Sequence, residues 1–262
     1  GTTLITNALI ERKGAVTALV TTRGFSDTLD TQREMRYDIY DLHGGPVDHL
    51  VPRFLRFEAD ERMDTFGEVH RPFDPNSLEP MLAFLDEAGV RDDIEAVAIA
   101  FLNAFTNPEH EQAARDWLAE RLPNATFSVS SEVAPEIREY ERMSTTVCNA
   151  YVQPLTDRYL RRLRSDLEQH GYARDLYLML SSGGVTTLDT AASLPVRLVE
   201  SGPAAGALAA VFYGQLTGND DLVSFDMGGT TAKMCLIRDG RPSMADTFEI
   251  ARVHRFKRGS GL

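Results

Sequence analysis

Residues 222–237 read LVSFDMGGTTAKMCLI. An apolar run of strand length ends at Asp226. Gly228 and Gly229 follow, then Thr230 and Thr231, then a second apolar run that carries Lys233. Adjacent glycines let the backbone turn tightly and aim several N–H groups at one point. Threonine hydroxyls add donors for phosphate oxygens. An aspartate at the strand end can hold hydrated Mg²⁺ or orient a water. The residues by themselves leave two readings open, a phosphate-binding hairpin and an ordinary β-hairpin. They exclude two others. No GxxxxGK[ST] loop occurs, GxGxxG is missing, and a strand rather than a helix follows the glycines.

Two more glycine-bearing segments lie upstream. In residues 201–206, SGPAAG, Ser201 or Gly202 can cap a helix with Pro203 at its first position and an Ala-rich body over 203–213. Such a start presents free N–H groups and a positive dipole end to an anion; a plain capped helix reads equally well. In residues 181–184, SSGG, Gly183 and Gly184 follow the apolar run 176–180, which reads as a core strand. Ligands of open α/β sheets gather at the carboxyl ends of strands, and a simple turn is the alternative.

Further out, apolar runs at 15–22, 94–101 and 126–130 predict buried strands. Helices are expected over 4–11, 78–88 and 108–122, the last starting at Pro108. A hairpin is expected over 51–70, around Gly67. Residues 136–151 and 155–169 read as two helices separated by Pro154, and Gly171 closes the second. Strand and helix therefore alternate, which gives an α/β layer fold with mixed sheets flanked by helices. A boundary is expected near 140, dividing 1–140 from 141–262.

Of the 262 residues, 43% are hydrophobic and 25% charged, the profile of a folded domain rather than a disordered chain. The net charge of −12 opposes a nucleic-acid backbone as principal partner. No apolar stretch approaches membrane-spanning length, and the first residues form neither a signal nor a transit peptide. Cys148 and Cys235 are too few for a disulfide framework and read as buried thiols of a reducing, cytoplasmic setting. The six histidines show no metal-binding spacing and read as surface or loop residues. Thr2-Thr3 with Thr6-Asn7, and the polar run Glu139 to Asn149, read as buried hydrogen-bond networks or as walls of a site. The chain begins without Met and ends at Ser260-Gly261-Leu262, which reads as a piece of a longer protein.

Taken together, GTTLITNALIERKGAVTALVTTRGFSD (1–27), REMRYDIYDL (33–42), EVAPEIREYERMSTTVCNAY (132–151), LMLSSGGV (178–185), SGPAAG (201–206) and SFDMGGTTAKMCLI (224–237) resemble the hydantoinase A/5-oxoprolinase family. That family belongs to the actin/Hsp70/sugar-kinase ATPase superfamily. The resemblance covers essentially the whole chain. It implies ribonuclease-H-like, actin-like ATPase lobes. Residues 1–140 would be the first lobe's region without its first phosphate hairpin. Residues 141–262 would begin the core region with the second phosphate motif.

The resemblance also implies ATP-dependent hydrolysis of a cyclic amide such as a hydantoin, 5-oxoproline or a lactam, through phosphorylation of the amide oxygen. A sister branch carboxylates ketones such as acetone and acetophenone. A non-catalytic actin-like scaffold is the alternative from another class. ATP and Mg²⁺ are the implied cofactors. A hydantoinase B-type subunit, separate or fused, is the implied partner, in a hetero-oligomer with no nucleic acid and no membrane. By the motif match, Asp226 and Thr230 would be catalytic, with Asp226 holding Mg²⁺ through water. Gly228, Gly229, Thr230, Thr231, Lys233, Ser201, Gly202, Gly183 and Gly184 would bind the nucleotide. Many members carry an acidic residue where this chain has Lys233. An earlier D-x-G-G-T hairpin and a later glycine-rich segment of the family are not in the sequence, so residues 1–262 alone are expected not to hydrolyse ATP.

Overall fold

A computed structural model describes residues 3–34, 40, 48–228, 232–245, 247–254 and 260–262. Gly229, Thr230 and Thr231, and most of REMRYDIYDL, lie outside the described residues. The chain forms two compact units, one of residues 8–158 with 249–262 and one of residues 1–7 with 159–248.

The larger unit is built on a five-stranded sheet. From Ala8, within helix α1 (Thr3–Ile10), the chain leads to β1 (Thr17–Thr22) and the short α2 (Thr28–Thr31). Strands β2 (Arg56–Met63) and β3 (Val69–Asp74), α3 (Glu79–Glu87), β4 (Ala96–Ala100), α4 (Glu109–Ala119), β5 (Thr126–Val129) and α5 (Ser130–Val133) follow. The strand order is β3-β2-β1-β4-β5. Strands β2, β1, β4 and β5 run parallel, and β3 returns antiparallel to β2. Central β1 and β4 are buried along their whole length, as parallel strands covered on both faces must be. That explains their unbroken apolar runs. The threonines of β1 are tolerated there because they are paired; Thr21 Oγ1 donates to the Ala100 carbonyl at 2.8 Å. Leu19, Ile99, Phe101, Leu85 and Leu118 belong to the core around this sheet.

The hairpin turn falls at Gly67 as expected, with φ +84°. The Asp64 carboxylate closes the turn by accepting from Phe66 N and Glu68 N. A 3₁₀ turn at Arg53–Leu55 shortens the first strand of the predicted hairpin. Pro108 sits just before α4 rather than as its first residue, and its carbonyl accepts from Gln112 N at 3.0 Å.

Pro154 does not divide the helical region. Helix α6 runs unbroken from Glu139 to Gln169 with Pro154 inside it. Proline removes one N–H and crowds the carbonyls a turn earlier. The Tyr151 carbonyl, in that crowded turn, accepts from Ala15 N at 2.9 Å. Gly14 makes the approach possible: a Cβ there would lie 2.5 Å from the Tyr151 carbonyl oxygen and 2.2 Å from its ring. A tertiary hydrogen bond thus occupies a carbonyl beside the proline, and the helix continues.

In the smaller unit, β6 (Tyr177–Met179) and β7 (Val185–Thr187) form an antiparallel hairpin that leads into α7 (Leu188–Ser193). Helix α8 (Ser201–Thr217) precedes β8 (Leu222–Met227), β9 (Ala232–Arg238) and β10 (Arg241–Pro242), three antiparallel strands in the order β10-β9-β8. Strand β6 is not the core strand its sequence predicts: Tyr177 is exposed and Leu178 and Met179 are half-buried. Helix α8 starts two residues earlier than expected, so Pro203 is its third residue rather than its first.

Candidate functional site

The three glycine-bearing segments come together around α8. Gly214 sits where a Cβ would lie 2.5 Å from Leu222 Cδ1 and 2.6 Å from the Asn219 carbonyl oxygen. Only glycine lets the helix and β8 pack this closely. Gly218, at φ +71°, then turns the chain, and Asn219 N donates to the Gly214 carbonyl at 2.9 Å. The chain therefore leaves α8 and returns along it as β8.

Strands β8 and β9 place Asp226 directly opposite Lys233 and Met227 opposite Ala232. Alternation puts Ser224, Asp226, Lys233 and Cys235 on one face and Val223, Phe225, Met234 and Leu236 on the other. Asp226 and Gly228 are exposed. Lys233 reaches the start of α8, where its ammonium donates to the Glu200 carboxylate. Glu200 itself is unusual: it precedes α8 in the left-handed conformation, φ +60° and ψ 20°. Ser201 is buried and Gly202 exposed at the first turn. Ala204 N donates to the Glu200 carbonyl.

The other predicted glycines lie farther along the helix. Gly183, at φ +89°, turns the β6–β7 hairpin, and a Cβ there would touch Leu208 of α8 at 3.0 Å. Gly184 accepts from Leu180 N at 2.7 Å, and Ser181 N and Oγ both donate to the Arg197 carbonyl. Leu208 is seven residues past Ser201, about 10 Å along a helix axis. Asp226, Lys233, Ser201 and Gly202 thus share α8 as a common support, and Gly183 lies against it about two turns on, with Gly184 next to it in the β6–β7 turn. Gly229, Thr230 and Thr231 lie outside the described residues. Among the described residues no group of three or more His, Cys, Asp or Glu is placed to hold a metal ion. No helix among them is long and apolar enough to cross a membrane.

A second polar cluster lies inside the larger unit, at the carboxyl ends of its parallel strands. His110 contradicts the surface reading of the histidines. It is buried, with Nδ1 2.8 Å from Glu61, whose other carboxylate oxygen accepts from Thr22. Beside it the Glu111 carboxylate accepts from Phe101 N and Ser131 N, both at 2.9 Å, and from the Ser130 hydroxyl at 2.5 Å. Burial raises the Glu111 carboxyl above the ordinary range, against the pull of these donors. Arg142, only 2% exposed, donates to the Phe101 carbonyl and to Ser130 Oγ, each at 2.6 Å. Its guanidinium stands 3.9 Å from Glu111. Arg142, Thr146 and Asn149 of the polar run on α6 are buried, and Thr146 adds a bond to the Arg142 carbonyl, while Glu139, Glu141, Ser144 and Thr145 are half-buried. Glu61, Glu111 and Glu200 carry no sequence signal: each lies in a stretch where a carboxylate reads as solvated.

Sequence profiles of one family cover nearly all of the chain. The hydantoinase/oxoprolinase profile matches residues 142–256, and the hydantoinase/oxoprolinase N-terminal region matches residues 1–122. The chain belongs to the hydantoinase/oxoprolinase family. An uncharacterized protein of Methanocaldococcus jannaschii is 37% identical over 247 residues, covering 93% of this chain and 36% of that protein. Caprolactamase subunit alpha of Pseudomonas jessenii is 33% identical over 254 residues, 96% of this chain and 36% of the subunit. The 5-oxoprolinase of Saccharomyces cerevisiae is 32% identical over 267 residues, 92% of this chain and 20% of that enzyme. The chain thus spans about a third or less of the length of these relatives.

Family membership is matched by likeness of fold. The crystal structure of the ATP-dependent caprolactamase of P. jessenii superposes with a TM-score of 0.77 at 33% identity, over 90% of this chain and 34% of that one. Nucleotide-free acetone carboxylase gives the same TM-score at 25% identity, over 92% of this chain and 36% of that one. The mixed-sheet α/β architecture is that of these ATP-dependent enzymes of the hydantoinase/oxoprolinase family.

Proposed function

We propose that this chain forms part of the ATP-binding subunit of an ATP-dependent cyclic amidohydrolase. The β8–β9 hairpin and the start of α8 would hold the phosphates. The observation that carries the reading is the Glu200–Lys233 pair, which joins the SGPAAG helix start to the strand opposite Asp226. Two segments that the sequence singles out for anion chemistry are thereby fixed to each other.

The residues present fit a magnesium–nucleotide complex. Asp226 is an exposed carboxylate with no ion pair among the described residues, and Gly228 close after it is exposed as well. A single carboxylate suits Mg²⁺, which keeps most of its waters and takes its remaining oxygens from phosphates. Gly228, Gly229, Thr230 and Thr231 would donate to phosphate oxygens, as would the first turn of α8 at Ser201 and Gly202. Gly183 and Gly184 would shape the flank of the site. Thr230 and Asp226 would orient the reacting groups. ATP supplies the driving force that a poorly electrophilic amide lacks. A hydantoinase B-type subunit would complete the assembly, since relatives of this family are named as subunits.

The test is phosphate release from MgATP by the full-length assembly across hydantoins, 5-oxoproline, lactams and small ketones, with and without bicarbonate. Stimulation by a cyclic amide without bicarbonate is the expected result. The likeness to acetone carboxylase favours a second reading, which stimulation by a ketone only with bicarbonate would establish. In either enzyme, Asp226→Ala lowers turnover by about 10²-fold or more while the protein stays folded. A non-catalytic scaffold would show no such loss.

A further inference from the structure

We propose that Glu200 is a positioning residue that holds Lys233 away from Asp226 and so keeps the Asp226 carboxylate available. The inference rests on the nucleotide-site reading of the β8–β9 hairpin. Asp226 and Lys233 are direct cross-strand partners on the same face of an antiparallel pair. Opposite charges in that relation attract and ordinarily pair. Here they do not pair. The Lys233 ammonium is on the Glu200 carboxylate, and Asp226 is left exposed to solvent.

Three features show that the Glu200 position is built for this. Glu200 takes a left-handed backbone conformation, which a glutamate adopts only when its surroundings impose it. Its side chain is 19% exposed and that of Lys233 38%, so the pair is partly withdrawn from water. Lys233 and Glu200 both lie on the side of the hairpin that packs against α8, so the lysine reaches the carboxylate without disturbing the ladder. One carboxylate neutralises the lysine, and a second is left free beside the glycines. A metal–nucleotide complex needs that free oxygen ligand, and a cross-strand Asp226–Lys233 pair would occupy it.

The experiment measures Mn²⁺ binding, as a surrogate for Mg²⁺, by electron paramagnetic resonance in the full-length protein with ADP present. In Glu200→Gln the released Lys233 turns to Asp226, and Mn²⁺ affinity is expected to fall by up to about five-fold, the upper end of what a cross-strand ion pair is worth. Adding Lys233→Gln removes the competitor, so the double variant is expected to return to wild-type affinity. Should Glu200→Gln fail to fold, Glu200→Asp takes its place: the shortened carboxylate is expected to release Lys233 and weaken Mn²⁺ binding, and adding Lys233→Gln is expected to reverse that loss. A merely structural Glu200 would not be rescued by a second substitution. Unchanged affinity in Glu200→Gln, or a double variant weaker than the single one, overturns the positioning role alone. A wild-type protein that binds no Mn²⁺ with ADP overturns the nucleotide-site reading and this inference with it.

Discussion

Cys148 and Cys235 are alike in sequence context and differ in chemistry. Cys148 is buried on α6, and burial pushes its thiol up to about 12, with Arg12 opposing weakly. Cys235 is only half-buried on β9 and departs from the buried reading of its sequence. Ellman's reagent at pH 8 is expected to titrate one thiol in the folded chain and two in guanidinium. Two fast thiols in the folded chain would refute the burial of Cys148. Glu111 carries a pH prediction of definite sign. Its folded carboxyl is raised by burial, so its contribution to stability is full below the ordinary carboxylate range and is lost as pH rises through the folded value. Glu111→Gln has no such loss. The stability gap between wild type and Glu111→Gln, from urea midpoints, should therefore narrow as pH rises; a gap that widens would contradict it. The burial of Cys148 was legible in the sequence, and that of Glu111 was not. Glu111 and His110 open α4, where polar residues normally face water, and only the tertiary fold turns them inward.

Strands β1 and β4 were legible because a parallel strand covered on both faces is apolar along its length, whereas the similar run at 176–180 forms the partly exposed β6. Strands β1 and β4 fall within the expected spans for that reason. The continuity of α6 was not legible. Helix propensity places a break at Pro154, and a contact from Ala15, 136 residues away from Tyr151, overrides it. The energetic weight of that contact can be measured through Gly14. Gly14→Ala would push a methyl group into the Tyr151 ring and carbonyl, and is expected to destabilise by about 1–3 kcal/mol in urea unfolding. A loss below a few tenths of a kcal/mol would mean that the segment moves aside freely. The site elements were legible as strings but not as an assembly. The sequence marks SGPAAG and the Gly-Gly-Thr-Thr hairpin separately, and Glu200, which joins them, sits between Val199 and Ser201 with nothing in the sequence to say that Lys233 will reach it.

At the scale of the molecule, one face of the β8–β9 pair stands out. Val223, Phe225, Met227, Met234 and Leu236 are 50–74% exposed and lie together on the face opposite Lys233. An apolar patch of this kind marks an interaction surface or an aggregation liability. Residues 1–262 are expected to bind a hydrophobic dye and to self-associate. Phe225→Ser with Met234→Ser should reduce both effects in dye fluorescence and sedimentation. Wild-type material that is monomeric and dye-silent would refute the expectation. The net charge of −12 works against association at low ionic strength, so self-association should strengthen with added salt. The seat of Gly14 against α6 also bears on the order in which the chain matures. During synthesis Ala15 emerges from the ribosome 136 residues ahead of Tyr151, so it has no carbonyl to meet until that stretch has been made. Gly14 and Ala15 wait without that partner in the interval, accessible to proteases and chaperones, and this contact closes only once α6 has been made.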